Sequence, residues 1–362
     1  MAFVFIISAV VAVFTALLVV PLGGDRKDKV SSIALLAILT FVVVAIIYYV
    51  TNLDRNWTAL WPWLVLITFA GTFLARGVEQ KVKGILLLGS LALAIYMLSA
   101  PVWNAYKKYE VAKMDEEVEI EAFDETKTPA SVPPKFARNK MKKAFGQVPD
   151  TSYYELGNLQ IQKVNGKYVY IAPVEFSGFF KWWNGDVTPG YFTMSATDSA
   201  DNPKFVKSQM TYTPSSFLHK NLERHMRMKH PTKIFYGDAQ LEIDEDGKPY
   251  YIRSYGKFIT ARNGFDVEGI VVVDPATGQT ESFALADVPE FIDGAVSPET
   301  VSLQNSYYGK YVHGFINSLI GKKEVKLPSD EGTEANVSPI FTENGEMYYF
   351  TRYGKKAHTE FN

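Results

Sequence analysis

Five histidines, His219, His225, His230, His313 and His358, are the side chains best suited to move protons or ligate metal at neutral pH. His219 and Glu223 stand four apart and would share a helix face, whereas His225 is six from His219 and points elsewhere. A zinc-protease helix needs two His at that spacing with Glu beside the first, and Lys220 fills that neighbouring position. With no cysteine in the chain, thiol catalysis, a disulfide framework and Cys-ligated zinc or iron-sulfur sites are excluded. Ser177, Ser195 and Ser254 lack the G-x-S-x-G elbow of a hydrolase nucleophile, and neither a phosphate loop nor a dinucleotide fingerprint occurs. The carboxylate pairs Asp198 with Asp201 and Asp244 with Asp246 fall in turn sequences, where Asp serves local hydrogen bonding. The acidic run from Glu110 to Glu125 lacks the ordered ligand spacing of a calcium loop and reads as a solvated segment. The expectation is therefore a protein that is not an enzyme, with no catalytic residues, metal or cofactor.

One segment is richer than punctuation requires. Phe176 to Gly185 places Phe179, Phe180, Trp182 and Trp183 in a Gly-bounded stretch between strands. These four residues serve either as a plug in the core or as an exposed aromatic surface for a partner, a glycan or a lipid leaflet. They are the candidate binding residues.

The elements that must position this stretch repeat along the chain. Leu159 to Ile171, Leu241 to Ile252 and Ile340 to Phe350 each read as an alternating strand, an Asn-Gly or Asp-Gly turn, and a second strand rich in aromatics. Asn-Gly and Asp-Gly supply the positive φ of a tight hairpin, with Gly166, Gly247 and Gly345 as the turn glycines. A helix-like pattern precedes each hairpin, over Pro134 to Phe145, Ser216 to Lys229 and Asn305 to Ile320. Further strands follow in the first two units, at Gly190 to Asp198 and at Gly269 to Asp274 with Thr280 to Phe283. The third unit ends at Asn362 before an equivalent pair.

Charge divides the molecule. Up to Asn104 there are 7 Lys and Arg against 4 Asp and Glu, and the remaining residues carry 30 against 35. Four apolar stretches, Phe3 to Leu22, Ile33 to Val50, Leu60 to Ala75 and Gly84 to Val102, approach the roughly 20 residues that cross a bilayer. None of them contains Asp, Glu, Lys, Arg or His, so the groups that relay ions at depth in transporters are missing, and the four spans read as an anchor. Ser8, Thr15, Thr40, Thr68, Thr72 and Ser90 then serve helix packing alongside Gly71 and Gly89. Met1 to Ile7 lacks the basic start of a signal peptide, so the first stretch is expected to be retained. Basic residues gather in the first loop (Arg26, Lys27, Lys29) and the third (Arg76, Lys81, Lys83), against Arg55 alone in the second, which puts both termini outside. Tyr48, Tyr49, Trp57, Trp61, Trp63 and Trp103 fall at the outer ends and are the candidate membrane-interface residues. The basic helix Lys135 to Lys143 reads as a solvated face, and a net acidic soluble half disfavours nucleic acid.

This divides the chain into a four-helix transmembrane domain (1–104), an acidic linker (105–132), two α+β repeats (133–213 and 214–300) and a truncated third (301–362). Asp246-Gly247-Lys248-Pro249-Tyr250-Tyr251 and Val271-Val272-Val273-Asp274-Pro275-Ala276-Thr277-Gly278-Gln279 resemble the hairpins of PepSY-type extracytoplasmic domains. The wider layout, with Leu222-Glu223-Arg224-His225, Val288-Pro289-Glu290-Phe291 and Tyr170 to Phe176, looks like a group of bacterial and phage multi-pass membrane proteins. The resemblance implies binding or restraint of peptidases and an envelope location. The leading expectation is a membrane-anchored binding or scaffold protein of the bacterial cytoplasmic membrane, with an envelope protein or peptidase as partner. The alternatives are a PepSY-like peptidase regulator and an oligomeric channel or transport accessory subunit.

Overall fold

A long uncharged apolar run can satisfy its backbone in lipid only by coiling into helix. The structure is a computed structural model and describes residues 2–23, 26–51, 54, 56–113, 130–328, 337–341, 347–351 and 353–355. Most of the acidic run from Glu110 to Glu125, Arg55, the Asn344-Gly345 turn and His358 lie outside the described residues. Contacts divide the chain into two units. The first is Met1–Asn104 with Arg227–Ile234 and Phe258–Gly264, and the second is Ala105–Met226, Phe235–Lys257 and Phe265–Asn362.

In the first unit, α1 (Ala2–Val19), α2 (Arg26–Val50), α3 (Trp61–Leu74, after the 3-10 turn Trp57–Leu60) and α4 (Gly77–Trp103) are long and apolar enough to cross a membrane. α2 and α4 start earlier than the apolar stretches. They carry Arg26, Lys27, Asp28 and Lys29, and Glu79, Lys81 and Lys83, on their opening turns, because charged side chains continue a helix while reaching out of the apolar layer. Lys83 is buried and pairs with Glu79 at 2.7 Å, and both Glu79 oxygens accept from the Leu22 amide. Thr68 and Ser90 share a hydroxyl hydrogen bond of 2.8 Å, and the Trp63 indole donates to Thr15. Gly71 brings α3 so close to α1 that a Cβ would stand 2.2 Å from the Leu18 carbonyl oxygen. Gly89 has open space beside it among the described residues.

The interface aromatics divide. Trp57 and Trp103 are exposed, Tyr49, Trp61 and Trp63 half-buried, and Tyr48 lies buried with Val4, Ile7, Val11 and Val44. The tip of a later hairpin belongs to this unit. There Arg262 clasps Asp54 through a two-nitrogen pairing, and the Asn104 side chain donates to the Asn263 carbonyl.

The second unit opens with α5 (Ala105–Ala112), where the sequence reading places a linker, and then builds one motif twice before a shorter last segment. After α6 (Pro134–Lys143) come β1 (Tyr154–Leu156), β2 (Gln160–Val164), β3 (Lys167–Phe176), α7 (Phe179–Gly185), β4 (Thr188–Ser195) and β5 (Lys204–Met210). After α8 (Leu222–Lys229) come β6 (Ile234–Phe235), β7 (Gln240–Ile243), β8 (Pro249–Thr260), β9 (Asn263–Val273) and β10 (Thr280–Ala284). The first sheet runs β1-β3-β4-β5 with β2 also on β3, and the second runs β6-β8-β9-β10 with β7 also on β8. After α9 (Pro298–Tyr311) and α10 (Gly314–Ile316), β11 (Lys326–Pro328) pairs with β14 (Tyr353–Lys355), and β12 (Ser338–Phe341) pairs with β13 (Met347–Phe350). In the first two, a short strand and a hairpin strand lie along one long strand, and the last four strands form two separate two-stranded sheets.

Two helices depart from the sequence reading. α8 starts at Leu222 because Leu218 adopts a positive φ of 53° and Asn221 is extended, which breaks the helix expected from Ser216. α9 begins at Pro298, seven residues before the predicted start, with the Ser297 hydroxyl accepting the Thr300 amide. Asn165 (φ 49°) and Gly166 (φ 74°) form the tight turn of β2 and β3 as their types demand.

Period-2 alternation assigns each side of the sheets to a core. Tyr170, Ala172 and Val174 of β3, with Phe192 and Met194 of β4, bury against Ala137 and Met141 of α6. The opposite side, Ile171, Tyr191 and Met210, joins Leu222 and Met226 of α8 and then Leu241, Ile243, Tyr251, Val271 and Val273 of the second sheet. Ile252, Ile270 and Val272 on that sheet's far side meet Ile292. Helix, sheet, helix and sheet thus stack in layers.

Candidate functional site

The four aromatics from Phe179 to Trp183 lie on a short helix, α7, where the sequence suggested a loop. Gly178 enters it at φ 135°, a conformation closed to most other residues, and Asp186 leaves it at φ 64° with its amide on the Trp182 carbonyl. Helical periodicity then separates neighbours. Trp182 turns inward and is 6 % exposed, whereas Trp183 is 63 % and Phe180 77 % exposed. Phe179 is the hub. Its ring lies 5.2 Å from Phe217, 5.5 Å from Phe180, 5.8 Å from Trp182 and 5.9 Å from Trp183. Phe217 and Leu218, which sequence reasoning missed, widen the apolar surface, and the Lys220 ion pair with Asp186 fastens their turn to α7. Phe180 and Phe217 meet the Phe179 ring edge-to-face and the two indoles lie tilted to it, and rings held at these distances gain contact energy and lose little freedom on binding.

A second feature is a cleft of about 120 Å³ lined by residues from all three repeats. Arg138, Gln160, Gln240, Glu242 and Tyr349 border it on a background that includes Leu159, Ile161, Val337 and Met347. Glu242 accepts the amides of Asp293 and Gly294, both at 3.0 Å. Burial, reinforced by the nearby Asp293 carboxylate, pushes its pKa up to about 8, so it is a neutral acid at pH 7. The buried Gln240 side-chain nitrogen has no hydrogen-bond partner among the described residues. Arg138 is committed to the carbonyls of Gly157 and Leu156.

A third carboxylate, Glu175, is buried between the sheets. It accepts the Tyr251 hydroxyl at 2.6 Å and the Ser215 hydroxyl, and burial raises its pKa. Neither Glu175 nor Glu242 stood out in the sequence, since each sits in a strand where one face was expected to be wet.

The histidines disperse. His219 is exposed on a 3-10 turn (Leu218–Lys220), so it does not share a helix with Glu223, which faces Arg253 at 3.5 Å. His225 contacts the Gly278 carbonyl at 2.7 Å and lies tilted against the Tyr212 ring at 4.2 Å, and His313 pairs with Glu324. Asp244 and Asp274 cap their own turns, accepting amides of Lys248 and Ala276. Among the described residues no three His, Asp or Glu side chains converge to hold a metal ion. Searches with protein-family models, against curated proteins and against solved structures gave no match to this chain.

Proposed function

We propose that the protein is a non-enzymatic, membrane-anchored binding protein of the bacterial envelope, with PepSY-like units facing outward and the α7 surface gripping a partner protein. The observation that carries this reading is the aromatic cap: Phe180 and Trp183 project outward while Trp182 locks the same helix into the fold. Basic residues in the first and third loops support an outward second unit. The recurrence of one strand order in both sheets supports the PepSY-like assignment, under which the partner would be an envelope peptidase held in restraint.

The test is proximity labelling in cells with the full chain and with the double variant Phe180→Ser, Trp183→Ser. The variant keeps its thermal stability and loses the partner labelled by the parent; unchanged labelling overturns the reading. Trp182→Ala is the contrast, expected to destabilise by about 3–5 kcal/mol through the cavity it leaves. Protease treatment of intact cells tests orientation, since cleavage of the second unit only after lysis contradicts an outward domain.

A further inference from the structure

The turn that follows α9 is built inside out for a water-facing segment. Gly314, at φ 78°, reverses the chain after α9, and α10 continues into a π-helical turn, Asn317–Gly321. Its polar side chains are spent within the turn. Asn317 bonds both the amide and the carbonyl of Lys323, and the buried Ser318 donates to the Phe315 carbonyl. Its apolar side chains point out, Ile316 at 71 %, Leu319 at 54 % and Ile320 at 82 % exposure. Lys322 and Lys323 follow directly, both exposed.

The turn is linked to the last span through one short helix. Asn104 alone separates α4, the last span, from α5, and its amide still bonds to the Ala100 carbonyl. α5 has eight residues, about 12 Å of helix. α10 and α9 pack against it, with Tyr109 stacked on Tyr308 at 5.4 Å and the buried Lys108 over the rings of Tyr307 and Tyr311. The exposed Ile316, Leu319 and Ile320 are thus carried on elements packed against the short helix that directly follows the last span in the chain.

We infer that Gly314–Gly321 is a lipid foot: Ile316, Leu319 and Ile320 insert among the acyl chains of the adjacent leaflet while Lys322 and Lys323 meet anionic headgroups. The foot rests on the membrane anchor alone and is independent of the α7 reading. Because the chain has no native cysteine, a thiol can be placed at one site. Ile320→Cys and, as a water-exposed comparison, Asp198→Cys are labelled with an environment-sensitive fluorophore. The full chain is then reconstituted in vesicles of phosphatidylethanolamine and phosphatidylglycerol. The label at 320 emits to the blue and is quenched by nitroxide-bearing lipid acyl chains at least about twofold more than the label at 198. Water-like emission at 320 overturns the inference. So does blue emission that lipid nitroxides fail to quench, which assigns the cover to protein, including a second copy. Leu319→Cys repeats the measurement should Ile320→Cys fail to fold.

Discussion

Glu242 illustrates what a buried carboxylate does to the pH response of a fold. It holds its proton up to about 8 in the native state and releases it near 4.5 when exposed. Between these values the unfolded chain binds fewer protons, so the stability this group contributes is complete below about 4.5 and is lost as pH rises through about 8. Glu175 and Asp293 are raised by burial in the same direction. Glu242→Gln removes the titration and keeps one oxygen, enough for only one of the Asp293 and Gly294 amides, which Glu242 accepts on separate oxygens. Thermal unfolding of the variant is expected to vary less between pH 5 and pH 8 than that of the parent; parallel curves for the two would contradict the assignment. None of this could be read from residue order. Glu242 alternates with apolar neighbours in β7, and alternation marks a strand with one wet face, whereas here α6, α8 and the 288–295 segment bury both faces of each sheet. Trp182 and Trp183 pose the same difficulty, because adjacent identical residues separate into core and surface only once the stretch is known to be helical.

Elements announced by turn chemistry were legible, and those set by tertiary contact were not. Asn165-Gly166 and Asp246-Gly247 carry their own φ preferences and located two hairpins. β1 and β6, of three and two residues, exist because β3 and β8 extend beyond their hairpins and offer free edge groups, a long-range condition. The β8–β9 hairpin shows the opposite case, a tight turn made against preference. Ala261 (φ 48°) and Arg262 (φ 56°) both occupy the left-handed region, which costs an L-residue about 1–2 kcal/mol each. Arg262 is recompensed by its pairing with Asp54, and Ala261 makes no such contact among the described residues. Ala261→Gly is accordingly expected to stabilise by about 1 kcal/mol while leaving that pairing intact. Thermal unfolding in detergent micelles checks this, and a lowered midpoint would count against strain at this turn.

At the level of the whole molecule, the division between an apolar N-terminal stretch of 104 residues and a charged remainder was plain from composition, and four long apolar helices and a sheet-rich antiparallel unit correspond to it. What joins the repeats was not plain. Phe341 of β12 is buried with its ring 4.6 Å from Tyr168 of β3, so the third copy closes on the first across more than 150 residues of sequence. Phe341→Ala is expected to cost about 3–5 kcal/mol and to loosen the cleft that the repeats share. Hydrogen exchange should then show lost protection in β2 and β3 as well as in β12. Loss confined to β12 would mean that the third repeat is an appendage. Gln162 stitches the first two repeats in a comparable way, its side-chain amide exchanging two hydrogen bonds with the Ile243 backbone as a strand residue would.

The placement of α8 has a consequence for how such a chain can be cut and recombined. Leu222 and Met226 lie in sequence at the head of the second repeat, yet in the fold they fill a core lined by Ile171, Tyr191 and Met210 of the first. A break between the repeats would strip the earlier sheet of its covering and leave the later one with an open wall. The two repeats are in this way mutually obligate, and neither could be transplanted alone without carrying a bare apolar face into water.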